Sequence, residues 1–181
     1  MSETNNITLV DLFSDIANAI RERTGRSERI VADDFPFALA SIPDSSVFLS
    51  IVNKSITELP ITYLEGITSI GDYTFSNCSN LALTSLPESI TSIGIRAFYN
   101  CGNLSLTSLP AGITSIGDNA FYYCSKLTTL TFKGTPTSIA SNAFPYCHNL
   151  KTINVPWAEG AVANAPWGAT NAAINYNYTG D

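Results

Sequence analysis

One histidine, one methionine and two tryptophans occur in 181 residues, and only 13% of the residues are charged. An average soluble protein carries roughly 25% charged residues. A single histidine excludes histidine pairs and histidine-built zinc clusters. Lysine and arginine number 9 against 15 acids, giving a net charge of −6. Phosphate binding needs clustered cations, so no nucleic-acid partner is expected. No run of about 18 apolar residues exists, so no membrane span is expected. The N-terminal stretch lacks a basic start and an apolar run of signal-peptide length, so export by such a signal is not expected.

What is present is a period of 23 residues. Cys78, Cys101, Cys124 and Cys147 keep that spacing, as do Phe75, Phe98, Phe121 and Phe144. The columns Ile70, Ile93, Ile116, Ile139 and Leu81, Leu104, Leu127, Leu150 run in phase with them, and a fifth column is Leu86, Leu109, Phe132, Val155. The unit reads LTSLPESITSIGIRAFYNCGNLS, with two short β-type runs, LTSLP and ITSIG, and then a compact turn or single helical turn, AFYNC. Proline ends the first run because it cannot donate to a ladder. Glycine after the second permits a tight reversal. No unit can bury its own apolar face, so neighbours must stack into a solenoid with these columns inside. The fold class expected is mainly β, a leucine-rich-repeat β-solenoid preceded by a short two-helix segment. Three regions follow: 1–45 helical, 46–156 solenoid, and 157–181 a C-terminal cap with a tryptophan pair and a final strand.

The pattern I-TSIG--AF--C--L followed by a short strand and proline resembles the BspA-like class of leucine-rich repeats over about residues 55–156. The resemblance implies a curved right-handed β-solenoid and a role in adhesion or recognition. The last turn departs from the pattern, with Ala140 in place of glycine and Pro136 in the column of Ile67, Ile90 and Ile113. Terminal repeats are commonly atypical.

The cysteines are expected to be reduced core residues. Metal ligation needs thiolates converging on one point, whereas stacked columns set them along a line, and parallel side chains suit a disulfide poorly. No metal or cofactor is expected.

The ends have a different character. Residues 1–45 hold 12 of the 24 charges. Leu9, Leu12, Phe13, Ile16, Ala17 and Ile20 form one apolar stripe at helical spacing, stopped by Gly25. Ala32–Ile42 reads as a second short helix with Pro36 early. Such helices are not stable alone, so Leu9, Phe13, Ile16 and Ile20 are candidates for oligomerisation or docking. Arg21, Arg23, Arg26 and Arg29 lie among eight acids and read as a solvated, salt-bridged face. The string IANAIRERTGRSERIVADDFPFALASI resembles a short module of tail and fibre-like structural proteins of phages and prophages. That resemblance implies a virion protein assembled in the host cytoplasm. Val47–Lys54 alternates as a strand that would open the solenoid. At the other end, Pro156-Trp157 and Pro166-Trp167 precede an alternating run, Ile174, Tyr176, Tyr178. The tryptophans read either as a cap over the last open turn or as a platform for sugars, with the cap favoured because large aromatics bury the most area.

Catalysis is not expected. His148 follows Cys147, which belongs to the core column, and a Cys-His pair needs a shared cleft. Asp72 and Asp118 lie two periods apart with Ile95 between them in phase, so a stacked acid pair is broken. GDYTF, GIRAF and GDNAF are repeat corners, not phosphate loops.

Two outer surfaces are candidates for binding. On the strand side, Leu83 and Ser85, Leu106 and Ser108, Thr129 and Thr131, then Thr152 and Asn154, are expected to face out as a nearly uncharged strip with Lys133 at its margin. On the turn side, Tyr99 with Tyr122 and Tyr123 with Tyr146 are one period apart and offer contact area at low entropy cost. Packing of these tyrosines on neighbouring turns is the alternative. The expected function is a non-enzymatic phage or prophage structural protein displaying the repeat surface. Its partners would be other virion proteins, a second copy, or a host surface protein or glycan. The alternatives are a BspA-like bacterial surface adhesin and a glycan-binding accessory domain.

Overall fold

The structure is a computed structural model and describes residues 54–59, 64 and 66–180. Leu9, Phe13, Ile16 and Ile20, both N-terminal helices, the strand expected over residues 47–54 and the 45/46 boundary therefore lie outside the described residues, except for Lys54, which sits in a turn. Among the described residues there is no α-helix.

Among the described residues, eight short strands make two parallel sheets. The ITSIG runs supply β1 (Ser69–Ile70), β2 (Ser92–Ile93), β4 (Ser115–Ile116) and β6 (Ser138–Ile139), which pair in the order β1-β2-β4-β6. The LTSLP-type runs supply β3 (Ser108–Leu109), β5 (Thr129–Phe132) and β7 (Thr152–Asn154), and β8 (Ala173–Asn175) joins them in the order β3-β5-β7-β8. Ile70 pairs with Ile93, Ile93 with Ile116, and Ile116 with Ile139, so the sequence period is the strand register. The C-terminal strand continues the second sheet, with Ile153 opposite Ile174. Each turn of chain is thus laid on the one before it, as a β-solenoid.

The columns form the core. The Phe75, Phe98, Phe121, Phe144 column, all four Cys, and the Ile and Leu columns are buried. Phe75, Phe98, Phe121 and Phe144 stack with centroids 5.3, 5.4 and 5.0 Å apart, which gives the spacing of the turns. Burying one such side chain contributes roughly 1.5–3 kcal/mol before entropy is subtracted. The cysteines fill the narrow position beside them. Cys101 Sγ donates to the Phe75 carbonyl at 2.9 Å, Cys124 to Phe98 at 3.1 Å, and Cys147 to Phe121 at 2.9 Å. Each thiol therefore ties its turn to the previous one, and none of the four is in a disulfide. Burial pushes Cys78 and Cys147 up to about 11, and raises Cys101 and Cys124 as well.

Glycine at the corner after ITSIG is required by close approach. A Cβ on Gly117 would sit 2.7 Å from the carbonyl carbon of Gly94. At the C-terminal end Trp157 and Trp167 are buried, with Phe132 edge-on to Trp157 at 5.3 Å and Trp167 donating from Nε1 to the Ala163 carbonyl at 2.7 Å. Their faces are not open to a sugar.

Candidate recognition surface

The turn segment after each corner is a third ladder rather than a helical turn. The N–H groups of Tyr73, Phe75 and Asn77 donate to the carbonyls of Ile95, Ala97 and Tyr99 in the next turn. Arg96, Phe98 and Asn100 do the same toward Asp118, Ala120 and Tyr122. This arrangement needs left-handed residues on either side of the phenylalanine. Asn77, Asn100 and Asn119 take that conformation at φ 64°, 57° and 53°. Asparagine tolerates it, whereas other side chains crowd the following carbonyl at a cost of roughly 1–2 kcal/mol.

Three tyrosines nevertheless occupy these positions. Tyr73, Tyr123 and Tyr146 have φ of 57°, 55° and 59°. They are also 50%, 46% and 55% exposed, so burial does not offset the strain. Arg96, at φ 52° and exposed, is the fourth non-asparagine residue of the set.

Together with Tyr99 and Tyr122 these residues make one oblique band across four turns. The Arg96 guanidinium lies 5.8 Å from the Tyr73 ring centre and 5.4 Å from that of Tyr99. Tyr99 stacks on Tyr122 at 4.4 Å with ring planes 10° apart. Tyr146 follows at 5.0 Å from Tyr122 but is tilted by 58°. His148 stands edge-on to both Tyr123, at 6.3 Å and 86°, and Tyr146, at 6.0 Å and 76°. Loss of water around the Tyr122 hydroxyl, reinforced by the phenols of Tyr99, Tyr146 and Tyr123, holds its pKa above the usual tyrosine value.

The four tyrosines singled out in the sequence thus come together, and the expected alternative also holds in part. Tyr99 and Tyr122 are half-buried and packed on each other, while Tyr123 and Tyr146 are exposed. Tyr73, Arg96 and His148 were missed as members. Tyr73 and Arg96 share one phase of the repeat, different from those of the named tyrosines, and His148 lies at another, so only the oblique course of the band joins them to the tyrosines. Cys147 and His148 point apart, as expected, since the thiol bonds into the core and the imidazole lies on the surface.

The strand-side strip requires correction. Leu83 and Leu106 are buried, not outward-facing. They precede Leu86 and Leu109 by three residues, and both leucines of each pair are buried, so the segment does not follow simple strand alternation. In β5 and β7 the phase moves by one: Leu130 with Phe132, and Ile153 with Val155, point inward at true strand alternation. Of the other expected members, Ser85 and Thr129 are exposed, Ser108, Thr131 and Thr152 are half-buried, and Asn154 is buried, donating to Thr131 Oγ1 at 3.2 Å. Lys133 is taken up by Glu88 at 2.6 Å, and this hydrogen bond holds the Glu88 carboxyl below its usual pKa. No continuous strip remains on that side.

The isolated acids are structural. Asp72 Oδ1 accepts from the Ile95 N–H at 2.6 Å, and Asp118 Oδ2 accepts from Asn119 and Asn142. Among the described residues no group of three or more His, Cys, Asp or Glu is placed to hold a metal ion. No helix among them is long and apolar enough to cross a membrane.

The family model described as BspA type Leucine rich repeat region matches residues 44–162 in six copies. No curated protein matches the chain. Among solved structures, the chain is similar to a leucine-rich repeat protein from Bacteroides ovatus, with 28% identity and a TM-score of 0.46 over 56% of this chain and 32% of that one. It is similar to a T. pallidum leucine rich repeat protein, with 25% identity and a TM-score of 0.45 over 66% of this chain and 50% of that one. A leucine rich cell surface protein from Faecalibacterium prausnitzii is similar at 25% identity and a TM-score of 0.40, over 59% and 37% of the two chains. The chain spans about a third to a half of the length of these proteins.

Proposed function

Because this chain belongs to the BspA-type leucine-rich repeat family, we propose that it is a non-enzymatic recognition protein, displayed at a cell surface, that binds a protein or glycan of another surface through the aromatic band of its turn face. The observation that carries this reading is the strain at Tyr73, Tyr123 and Tyr146. Sister turns solve the same backbone problem with asparagine, and the tyrosines gain no burial in exchange. Backbone strain retained without a packing return is a mark of function. Exposed tyrosines with an adjacent arginine are also the residue types that dominate binding energy at interfaces.

The test is binding of the labelled chain to intact cells and to immobilised extracellular proteins and glycans. Tyr123→Asp puts a charge in the band, and Ser85→Asp puts one on the strand side. The reading predicts loss of binding in the first and retention in the second. The reverse result would move the site to the strand side.

A second reading, a phage or prophage structural protein, rests on the string Ile16–Ile42, which lies before the family match. On that reading Leu9, Phe13, Ile16 and Ile20 dock the solenoid on a particle or a second copy. Antibody labelling of purified particles against whole cells separates the two.

A further inference from the structure

The band ends at a pocket between the last turn and the C-terminal loop. Its volume is about 370 Å³, and Tyr146, His148, Gly168, Thr170 and Asn171 line it. Small-molecule sites run roughly 300–1,000 Å³. The pocket exists because two features bring the loop onto the turn. The Phe144 N–H donates to the Trp167 carbonyl at 2.9 Å. Gly168, at φ 82°, lies so near that a Cβ there would be 3.2 Å from the Pro145 nitrogen.

We propose that this pocket is a subsite for a neutral sugar unit, and that it anchors one end of a glycan lying along the aromatic band. The proposal rests on the recognition reading above and names the ligand class of that surface. Three observations support it. First, the lining mixes one exposed ring with hydrogen-bonding groups, the Thr170 hydroxyl, the Asn171 carboxamide and the His148 imidazole, and contains no Asp, Glu, Lys or Arg. The Lys151 ammonium is held at the His148 carbonyl, 2.9 Å away. A ligand suited to these groups is uncharged, rich in hydroxyls and has an apolar C–H face. Second, Tyr146 is the member of the band whose ring turns out of the stack. Tyr99 and Tyr122 cover each other's faces, whereas the 58° tilt frees a face of Tyr146 beside the pocket. Third, successive turns are 5.0–5.4 Å apart, close to the length that one pyranose adds to an extended glycan. A polyproline-type peptide repeats every three residues, roughly 9 Å, and does not keep step with these turns.

The test is an array printed with neutral oligosaccharides, acidic oligosaccharides and proline-rich peptides, followed by calorimetry with the strongest binder. The expected result is binding to neutral glycans, weakened at least tenfold in Tyr146→Ala and in Asn171→Ala and retained in Tyr146→Phe. The fluorescence of Trp167, next to Gly168, should shift on binding. Binding to acidic glycans or to peptides alone would overturn the proposal, as would neutral-glycan binding unaffected by both alanine variants. Absence of glycan binding, with cell attachment still abolished by Tyr123→Asp, would overturn this inference and leave the recognition reading standing. Cell attachment indifferent to Tyr123→Asp would overturn both. Circular dichroism and the melting temperature of each variant separate loss of binding from loss of fold.

Discussion

Tyr146 lies 5.0 Å from Tyr122 with its ring tilted by 58°, whereas Tyr99 lies 4.4 Å from the same residue and only 10° from parallel. The same residue type one turn apart therefore does two jobs. The half-buried pair stacks along the solenoid, and the tilted ring faces outward.

This division predicts opposite stability effects. Tyr122→Ala removes a stacked, half-buried ring and should lower stability by about 1 kcal/mol, the scale of an aromatic pair. Tyr146→Asn substitutes the residue that sister turns use and should leave stability unchanged or raise it by about 1 kcal/mol. Urea unfolding of both variants checks this, and equal destabilisation would contradict it.

The corrected strand side predicts a contrast two residues apart. Leu106→Ala should cost about 2–5 kcal/mol, since Leu106 is buried in the core. Ser108→Ala should stay within about 0.5 kcal/mol, because Ser108 is only half-buried and its side chain does not enter the core. Had Leu106 faced out, the two substitutions would be alike.

Close approach of the turns predicts that Gly117→Ala destabilises by about 2 kcal/mol. Its Cβ would meet backbone at 2.7 Å, which cannot move aside. Gly102→Ala is the control, since its Cβ would meet nothing closer than the Ser125 Oγ at 3.4 Å. Comparable losses at both positions would show that the corner is looser than described.

The cysteine column gives a pH prediction. Folding holds Cys78 and Cys147 up to about 11 from an ordinary 9.0. The folded state therefore keeps protons that the unfolded state releases, and stability falls as pH rises from near 9 through about 11. Cys101 and Cys124 are raised as well and add to the same slope, so replacing Cys78 and Cys147 with alanine should reduce it without abolishing it. In the native state at neutral pH, Cys101 and Cys124 should resist thiol reagents until denaturant is added, because only the exposed thiolate reacts.

The solenoid was legible because every column repeats. Phe75, Cys78 and Leu81 return at one spacing, and a stack of short turns is the arrangement that buries them all. The strand side was misread because its phase is not fixed by the period. Leu83 and Leu130 are both interior, yet they stand at positions one residue apart in the repeat, and only the local path of each turn decides between them. The band was half legible. Tyr123 and Tyr146 share a column with Asn77 and Asn100, and that mixture of asparagine and tyrosine is the sequence trace of a left-handed position. Tyr73 and His148 join only through the packing of adjacent turns, which no single column reports.

The most direct test of the account is one variant measured twice, Tyr73→Asn with Tyr123→Asn and Tyr146→Asn, for thermal stability and for attachment to its target surface. The account predicts a melting temperature equal to or above that of the unchanged chain, with attachment reduced at least tenfold. A lower melting temperature with attachment per folded molecule intact would contradict it, and would make the exposed tyrosines part of the scaffold.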